Sequence, residues 1–363
     1  MLPKVFMTSA VALFLAVVVC VITPGCHDRS ASGDEAVPAA FRGKPDGLPL
    51  RGVALTIHNV DDMRPYLKCI DEIADLGADT VEFIVTTRQE NGSSTTIWID
   101  QRYCPSKQQL LELMAHAKEK KLRVVLMPVV LPHAPKGNEW RGTFKPDSWA
   151  DWFDNYRVML RHFARICEEG KAYALVVGSE LVSSEVKTDE WKSTIKMARK
   201  EFPSGKLTYS ANWDHYANIG YWEDLDFIGM NSYWKLGEDH NVPVEQIIAN
   251  WRNIQKELVN FSNAKQMPIV LLEVGWCSIS NAAHEPWDYT RSDLTPDWDL
   301  QKRLYQGFFE SWYGNPHLGG FMIWEWLPSG DTIDKDDKTY IPKGKPAYEV
   351  LKKWMAKGPW EVK

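Results

Sequence analysis

Beyond residue 47 the chain alternates between short apolar runs and longer segments in which apolar residues recur with a helical period. Most of the eight short runs are rich in Val, Ile, Leu and Phe throughout and do not alternate strictly between apolar and polar positions. This pattern is typical of parallel strands that are covered on both faces. The predicted strands are Val53–Ile57, Thr80–Thr87, Val124–Val130, Ala174–Val177, Leu207–Ser210, Asp226–Met230, Ile269–Leu272 and Gly320–Trp324.

Helical patterns separate and follow these strands. The fifth connection, around His215–Trp222, is short and predicts only a turn or two. The predicted helices are about Met63–Leu76, Lys107–Lys120, Asp147–Glu168, Asp189–Glu201, Val244–Asn260, Asp297–Tyr313 and Ala347–Met355. Eight strands joined by such crossovers predict an α/β fold with one (β/α)8, or TIM, barrel, which typically takes ~250 residues and tolerates insertions.

A separate segment precedes the barrel. Lys4 is followed by an apolar stretch from Val5 to Ile22 and then by Thr23-Pro24-Gly25-Cys26, which is the pattern of a secretory signal. Residues 27–47 are rich in Ala, Ser, Gly, Pro and charge without periodicity, which predicts a flexible tether. The predicted organisation is therefore a signal segment over 1–26, a tether over 27–47 and the barrel domain over 48–363.

The end of the signal segment resembles a bacterial lipobox, in which a small residue precedes a Cys that is lipidated and becomes the mature N-terminus. We therefore predict lipidation of Cys26 and tethering to a membrane of the bacterial cell envelope. Two alternatives stay open. One is ordinary cleavage, which gives a periplasmic or secreted protein, and the other is an uncleaved anchor, since the apolar stretch approaches the length that spans a bilayer. In each of these alternatives the protein is exported.

Composition and charge exclude several classes of protein. The 363 residues carry a net charge of −6 and are 44% hydrophobic, which suits a globular chain with material for a large core. The acidic balance comes without any block rich in Lys and Arg. Nucleic-acid partners are therefore not expected, because their binding depends on neutralising many phosphates.

The cysteines and histidines give no sign of a metal or cofactor site. Beyond the signal segment the cysteines are far apart and form no CxxC pair, and the nine histidines include no HxH or HExxH motif. We predict no metal and no cofactor. In an exported protein these cysteines either form up to two disulfides, in one of three full pairings, or stay as buried free thiols. They are Cys69, Cys104, Cys167 and Cys277.

Two glutamates follow buried strands: Glu180 comes after the fourth strand and Glu273 after the seventh. One such residue is weak evidence, because a carboxylate after a strand often caps a helix or pairs with an Arg. In a TIM barrel, however, all strand ends meet at the mouth that holds the active site. Two carboxyls held ~5–5.5 Å apart there are the apparatus of retaining glycoside hydrolysis. Like charges that close do not both ionise easily, so one of them keeps its proton.

The order and the residues of several sequence blocks resemble clan A of the glycoside hydrolases and, within it, family 113. Members of this family are known chiefly as endo-β-1,4-mannanases. The matching blocks run through most of the chain beyond the tether. They are Trp140-Arg141-Gly142, Gly178-Ser179-Glu180-Leu181, Leu207-Thr208-Tyr209-Ser210-Ala211-Asn212-Trp213-Asp214, Leu225-Asp226-Phe227-Ile228-Gly229-Met230-Asn231-Ser232-Tyr233, Glu273-Val274-Gly275-Trp276 and Gly344-Lys345-Pro346-Ala347. The resemblance implies that Glu180 is the acid/base, that Glu273 is the nucleophile, and that the protein is a monomer.

Polar and aromatic residues near the strand ends complete the predicted site. Tyr233 is expected to donate its hydroxyl to Glu273, and two asparagines are expected to bind sugar hydroxyls. Indole rings stack on the apolar faces of sugars, so about half of the tryptophans near the strand ends are expected to touch substrate. The predicted substrate-binding residues are Tyr233, Asn212, Trp213, Asn231, Trp276, Trp324 and Trp140.

Two further glutamates lie in or directly after predicted strands and are also candidates for the site. Glu82 lies inside the second strand, where a carboxyl must be paired or protonated. We interpret it as structural, with Arg51 or Arg88 as its candidate partner. Glu325 follows Trp324 and is interpreted as a residue of the rim.

Two departures from the family pattern bear on the substrate. Ser179 stands before the acid/base where the family typically has Thr, and His133 comes later than the Lys-Pro-His with which the family's third strand tends to end. We predict an exported retaining glycosidase that acts on a β-linked polysaccharide or oligosaccharide, with β-1,4-mannan as first candidate. A surface glycan-binding protein without turnover is the alternative. Endo or exo action stays open.

Overall fold

Eight parallel strands close into a barrel at the centre of the protein. The computed structural model describes residue 41 and residues 46–291, 293–328 and 333–362. The strands are β1 Leu50–Ile57, β2 Thr80–Gln89, β3 Arg123–Pro132, β4 Ala174–Ser179, β5 Lys206–Ala211, β6 Ile228–Asn231, β7 Ile269–Val274 and β8 Leu318–Trp326. Each strand pairs with its neighbours in chain order, and β1 pairs with both β2 and β8. The predicted TIM barrel is confirmed.

Within the described residues seven α-helices surround this barrel: α1 Arg64–Asp75, α2 Lys107–Glu119, α3 Trp149–Gly170, α4 Thr188–Glu201, α5 Val244–Lys265, α6 Trp298–Trp312 and α7 Pro346–Met355. The short fifth connection holds two 3-10 helices, Tyr216–Asn218 and Trp222–Asp224. A two-residue strand, Ile97–Trp98, pairs antiparallel with the end of β2 and was not predicted.

Local side-chain caps fix where several helices begin, and therefore how long the loops at the mouth are. Before α2, Ser106 Oγ accepts from the Gln109 amide at 3.3 Å while Gln109 Oε1 accepts from the Ser106 amide at 2.9 Å, a capping box. Before α6, Asp297 accepts from the Leu300 amide at 2.8 Å. The long loop after β7 thus ends at a defined residue.

The core has two layers. Inside the barrel, apolar side chains from alternating positions fill the centre, among them Ala54, Ile84, Val125, Met127 and Met322. A larger cluster lies between the strands and the helices. It contains four fully buried indoles that lie on the helices, namely Trp152, Trp191, Trp251 and Trp312. Burial of such large apolar surfaces is the main stabilising term for the barrel.

The predicted signal segment, its Cys26 and most of the predicted tether lie outside the described residues. In the part of the chain that the structure describes, no helix has the length and apolar character needed to cross a membrane. The four cysteines of the barrel domain are buried and free. The free-thiol alternative is therefore the one that the structure shows.

Candidate active site

Glu180 directly follows β4 and has an unusual backbone. Its φ is +51°, in the left-handed region that non-glycine residues rarely occupy. Its amide donates to the Ser210 carbonyl at 2.9 Å, and the Leu181 amide that follows donates to the Tyr209 hydroxyl at 2.9 Å. These bonds hold the turn, and the side chain of Glu180 lies almost buried at the barrel mouth.

Asn231, the last residue of β6, connects the ends of three neighbouring strands. Its Nδ2 donates to Glu180 Oε1 and, at 3.0 Å, to Asn212 Oδ1. Its Oδ1 accepts from the Trp213 amide at 2.8 Å. The buried amide therefore positions Glu180 against the β5 end, while its backbone is in register with Glu273 on β7.

Glu273 lies near the end of β7 and is also buried. The Tyr233 hydroxyl donates to its Oε2 at 2.7 Å, and Ser232 Oγ donates to its carbonyl at 2.7 Å. Its other oxygen, Oε1, has no hydrogen-bond partner within the described part of the chain. A Cβ at Gly275 would lie 2.1 Å from the Trp324 carbonyl oxygen, so glycine there lets β7 pass close to β8.

Arg141 supplies positive charge to this pair of carboxyls, and the sequence analysis missed its role. It lies in the loop between β3 and α3, and its Nη2 is 2.5 Å from Glu180 Oε2. Its charge also acts on Glu273. The only signal in the sequence was its place beside Trp140 in a block that matches the family.

The glutamate pair shares an environment that favours one proton. Burial, followed by the negative charge of Glu180, raises the pKa of Glu273 to about 8, although Arg141 and the Tyr233 hydrogen bond act in the opposite direction. Burial and the neighbouring like charge therefore disfavour the state in which both carboxyls are ionised.

Two further carboxyls lie within electrostatic reach of Glu273. Glu325 Oε2 accepts from Thr56 Oγ1 at 2.7 Å, and burial raises the pKa of Glu325. Glu82 is fully buried, and burial, together with the charge of Glu273, raises its pKa well above the usual range. The charge of Glu325 also acts to raise the pKa of Glu273.

Partly exposed indoles form a surface beside the pair. Trp213 stacks on Trp287 with ring centroids 5.9 Å apart and contacts Trp234 edge-on at 6.0 Å. Trp140 is 38% exposed and Trp287 is 45% exposed. These rings have free faces on which a sugar could stack. Trp287 was not among the predicted contacts.

Trp276, which was predicted to contact substrate, and Trp326, at the end of β8, both pack away from the mouth. Trp276 is fully buried and packs between Trp251 and Tyr305, with centroids at 6.4 and 5.1 Å. The predicted substrate contact therefore does not hold for Trp276, because its ring has no free face. Trp326 is likewise buried, and its Nε1 donates to Glu72 on α1 at 3.0 Å.

The structure places Trp324 and His133 as follows from their burial and ring contacts. Trp324 is partly buried, it packs against both apolar clusters, and its peptide bond to Glu325 is cis. It stays a predicted contact. His133 follows the end of β3, is exposed, and lies edge-on to Trp98 with centroids 5.9 Å apart.

A (β/α)8 barrel with two coupled, buried carboxyls at the ends of β4 and β7 has the architecture of a glycoside hydrolase. The sequence model of Glycoside Hydrolase Family 113 matches residues 66–345. The chain belongs to this family and is a glycoside hydrolase.

Solved structures share the fold. A family 113 β-mannanase from Alicyclobacillus acidocaldarius has a TM-score of 0.76 at 23% identity, over 86% of this chain and 98% of that one. A family 113 β-1,4-mannanase has a TM-score of 0.74 at 24% identity, over 85% and 99%. A β-D-glucuronidase from Dictyoglomus thermophilum has a TM-score of 0.60 at 16% identity, over 88% and 54%. No curated protein sequence matches the chain.

Proposed function

We propose that the protein cleaves β-1,4-mannan by a retaining, two-glutamate double displacement. The observation that supports this most is the placement of Glu180 and Glu273 as one coupled, buried pair at the barrel mouth. Membership in family 113 and the β-mannanases among the structural neighbours support mannan as the glycan.

In the first step Glu273 attacks the anomeric carbon while Glu180 protonates the departing glycosidic oxygen. The hydroxyl of Tyr233 donates to one oxygen of Glu273, which favours its ionised form and fixes its orientation. The glycosyl–enzyme ester forms as the C–O bond to the leaving sugar breaks. Glu180 is left ionised by the transfer of its proton.

In the second step Glu180 accepts a proton from water, which attacks the same carbon and releases the sugar with its configuration retained. In the free protein Arg141 pairs with Glu180, and an ion pair favours the charged form of a carboxyl. The proton of the pair must be on Glu180 when the bond breaks. Substrate binding therefore loosens the contact between Arg141 and Glu180.

The partly exposed indoles are the candidate sugar platform in this proposal. Trp213 and Trp287 stack on one another, and Trp213 is tied through its amide to Asn231. A mannose ring placed against Trp213 would therefore be held in fixed relation to Glu180, which Asn231 also binds. Such coupling between platform and acid would keep the glycosidic oxygen in reach.

Reducing-sugar release from mannan, glucomannan and xylan tests the function, and the product profile from mannohexaose separates endo from exo action. We expect release from the mannans, with a β-configured first product in a proton NMR time course. Tight binding without release across a broad glycan panel would instead support a glycan-binding protein. Release of α-configured product would contradict the retaining mechanism.

We expect a bell-shaped pH dependence of kcat/KM with its alkaline limb near pH 8. The active state carries one proton on the pair, and the raised pKa of about 8 means that this proton is lost as pH rises through that value. On the acid side a second proton neutralises the nucleophile. Initial rates across this range, with stability checked at each pH, give the measurement. A flat profile between pH 4 and about 9 would count against the pair.

We also propose that the protein is exported and tethered by a lipid on Cys26, since that residue ends a signal-like segment. Cys26→Ala should move the protein from the membrane fraction to the soluble fraction and abolish incorporation of labelled palmitate, because acyl chains supply the anchoring energy. Cys20→Ala, inside the apolar stretch, is the matched control and should change neither. Unchanged membrane association of Cys26→Ala would reject lipidation.

A further inference from the structure

Glu82 is a buried acid that the proposed mechanism leaves unused. It is the third residue of β2 and has no exposed surface, and neither carboxyl oxygen has a hydrogen-bond partner among the described residues. Its predicted partners lie elsewhere: Arg51 pairs with Asp79 at 2.9 Å, and Arg88 lies over the Tyr103 ring at 5.6 Å. An unpartnered buried carboxyl is costly, so its retention needs a reason other than stability.

The side chain of Glu82 points into the barrel. Its register partners on the two neighbouring strands are Ala54 and Val125, and both belong to the apolar cluster inside the barrel. Ile84, two residues further along β2, belongs to the same cluster. Residues two apart on a strand share a face, so Glu82 shares the interior with them.

Strand register brings Glu82 close to the level of Glu273. Val81 on β2 is in register with Val53 on β1, Val53 is in register with Ile323 on β8, and Ile323 is in register with Val274 on β7. Glu82 and Glu273 are the immediate neighbours of the two ends of this row. The two carboxyls also interact electrostatically, which agrees with this placement below the barrel mouth.

Other buried polar atoms on the inward face lack partners in the described structure. Thr86 lies on the same face of β2 as Glu82 and Ile84. Ser210 alternates with Tyr209 and Ala211, which belong to the cluster outside the barrel, so it faces inward. Both hydroxyls are unpartnered, as is Oε1 of Glu273. Buried polar groups are almost always hydrogen-bonded, and where side chains do not reach one another a buried water does so.

We propose that Glu82 is a neutral acid that positions the nucleophile: its carboxyl proton is donated through one buried water to the free oxygen Oε1 of Glu273. Tyr233 already donates to Oε2, so both oxygens of the nucleophile then accept hydrogen bonds. The hydrogen bond from the barrel interior would stabilise the ionised carboxylate of Glu273 and fix its orientation. This inference rests on the proposed function of Glu273 and goes beyond the pair itself.

Other groups also set the charge state of Glu273 and must stay constant in a test. Negative groups disfavour its ionisation, while the cation and the Tyr233 hydroxyl favour it. The groups that act on Glu273 or are acted on by it are Glu180, Arg141, Tyr233, Glu325 and Tyr340. Variants at position 82 leave all of them in place.

Two substitutions separate hydrogen bonding from shape. Glu82→Gln keeps a neutral donor, whereas Glu82→Leu removes it while filling a similar volume. For Glu82→Leu we expect the acid limb of the kcat/KM profile to move up by about half a unit to one unit, and the maximal kcat/KM to fall about threefold to tenfold. Glu82→Gln should keep the wild-type limb. Met127→Leu, inside the same barrel, is the apolar control and should keep it too.

The melting temperature gives a second readout that a purely structural role would not match. Glu82→Leu should melt at or above the wild-type temperature, because it removes a buried polar group. Its maximal kcat/KM should nevertheless be lower than that of the wild type. An unchanged acid limb in Glu82→Leu would overturn the inference. A downward shift of the limb in Glu82→Gln would overturn it as well, since it would mean that Glu82 is ionised. If Glu82→Leu fails to fold, Glu82→Met replaces it.

The wild-type protein and Glu273→Ala separate this inference from the proposed function. If the wild-type protein releases no sugar, the proposed function fails before position 82 is tested. If the wild type is active, Glu273→Ala is inactive and Glu82→Leu keeps the wild-type pH profile, only the role of Glu82 fails. A carboxylic-acid infrared band that persists above neutral pH and is missing from Glu82→Gln would show the proton directly.

Discussion

Glu273→Ala should lower kcat/KM on mannan and on aryl β-mannosides by at least ~10⁴-fold, because it removes the group that attacks the anomeric carbon. The loss should be similar for good and poor leaving groups, since no leaving group compensates for a missing nucleophile. Initial rates on both substrate types measure this. A fluorosugar that traps the glycosyl–enzyme should label the wild-type protein at Glu273 and leave the variant unlabelled.

The control for this prediction is a glutamate far from the mouth. Glu112 is exposed on α2, and Glu112→Ala should keep wild-type kinetics and melting temperature. Glu273→Ala removes a buried carboxyl that repels Glu180, so it should fold at least as stably as the wild type. Near-native activity in a folded Glu273→Ala protein would refute the mechanism. Labelling at another residue would do so too.

Glu180→Ala should separate substrates by their leaving groups. Mannan and oligosaccharides need an acid and should lose about 10²–10⁴-fold in kcat/KM, which is the contribution of general acid catalysis. An aryl mannoside with a good leaving group forms the glycosyl–enzyme without that acid, so its first step should be nearly intact. The intermediate should then accumulate, because no base activates water, and a burst of aryl alcohol should appear.

Azide gives the second half of the test of Glu180. It attacks without base assistance, so it should restore turnover of the aryl mannoside in Glu180→Ala and yield a mannosyl azide of retained configuration. Glu273→Ala under the same treatment should give no retained product. Equal losses on natural and activated substrates, with no response to azide, would remove Glu180 from the acid/base role.

The barrel and the location of its two glutamates were accessible from the sequence. Continuous apolar runs predict buried parallel strands, and the predicted strand Ala174–Val177 begins with β4 and ends two residues before it. The barrel rule then places every strand end at one mouth. Glu180 and Glu273 could therefore be predicted to meet, without any knowledge of their partners.

Side-chain direction beyond the strand ends was not accessible. Trp276 and Trp213 both come shortly after strands, yet the first packs against helices and the second lines the mouth. Arg141 belongs to a loop whose path depends on tertiary contacts, so sequence spacing gives no distance to Glu180. Which way a loop residue turns is decided by packing that periodicity does not describe.

The partner of Glu82 was wrong for a related reason. Arg51 and Arg88 are near Glu82 in the sheet or the sequence, but Arg51 turns outward to Asp79 and to the Met355 carbonyl. Alternate residues of a strand face opposite sides, which explains Arg51. Arg88 shares the face of Glu82 but lies six residues further along β2, where it lies over the Tyr103 ring. The requirement that a buried carboxyl be paired or neutral was sound, and the neutral alternative is the one that the geometry favours.

The left-handed backbone of Glu180 has a consequence for how this protein changes over generations. A non-glycine residue there costs of order 1–2 kcal/mol, which Gly or Asn would largely recover. Either replacement would at the same time leave Arg141 and Asn231 without the carboxylate that they bind, and removing one partner of a buried ion pair costs about 3–5 kcal/mol. The turn alone is therefore a poor guide to which substitutions position 180 tolerates. The strained backbone persists because the side chain that it presents is held by its neighbours.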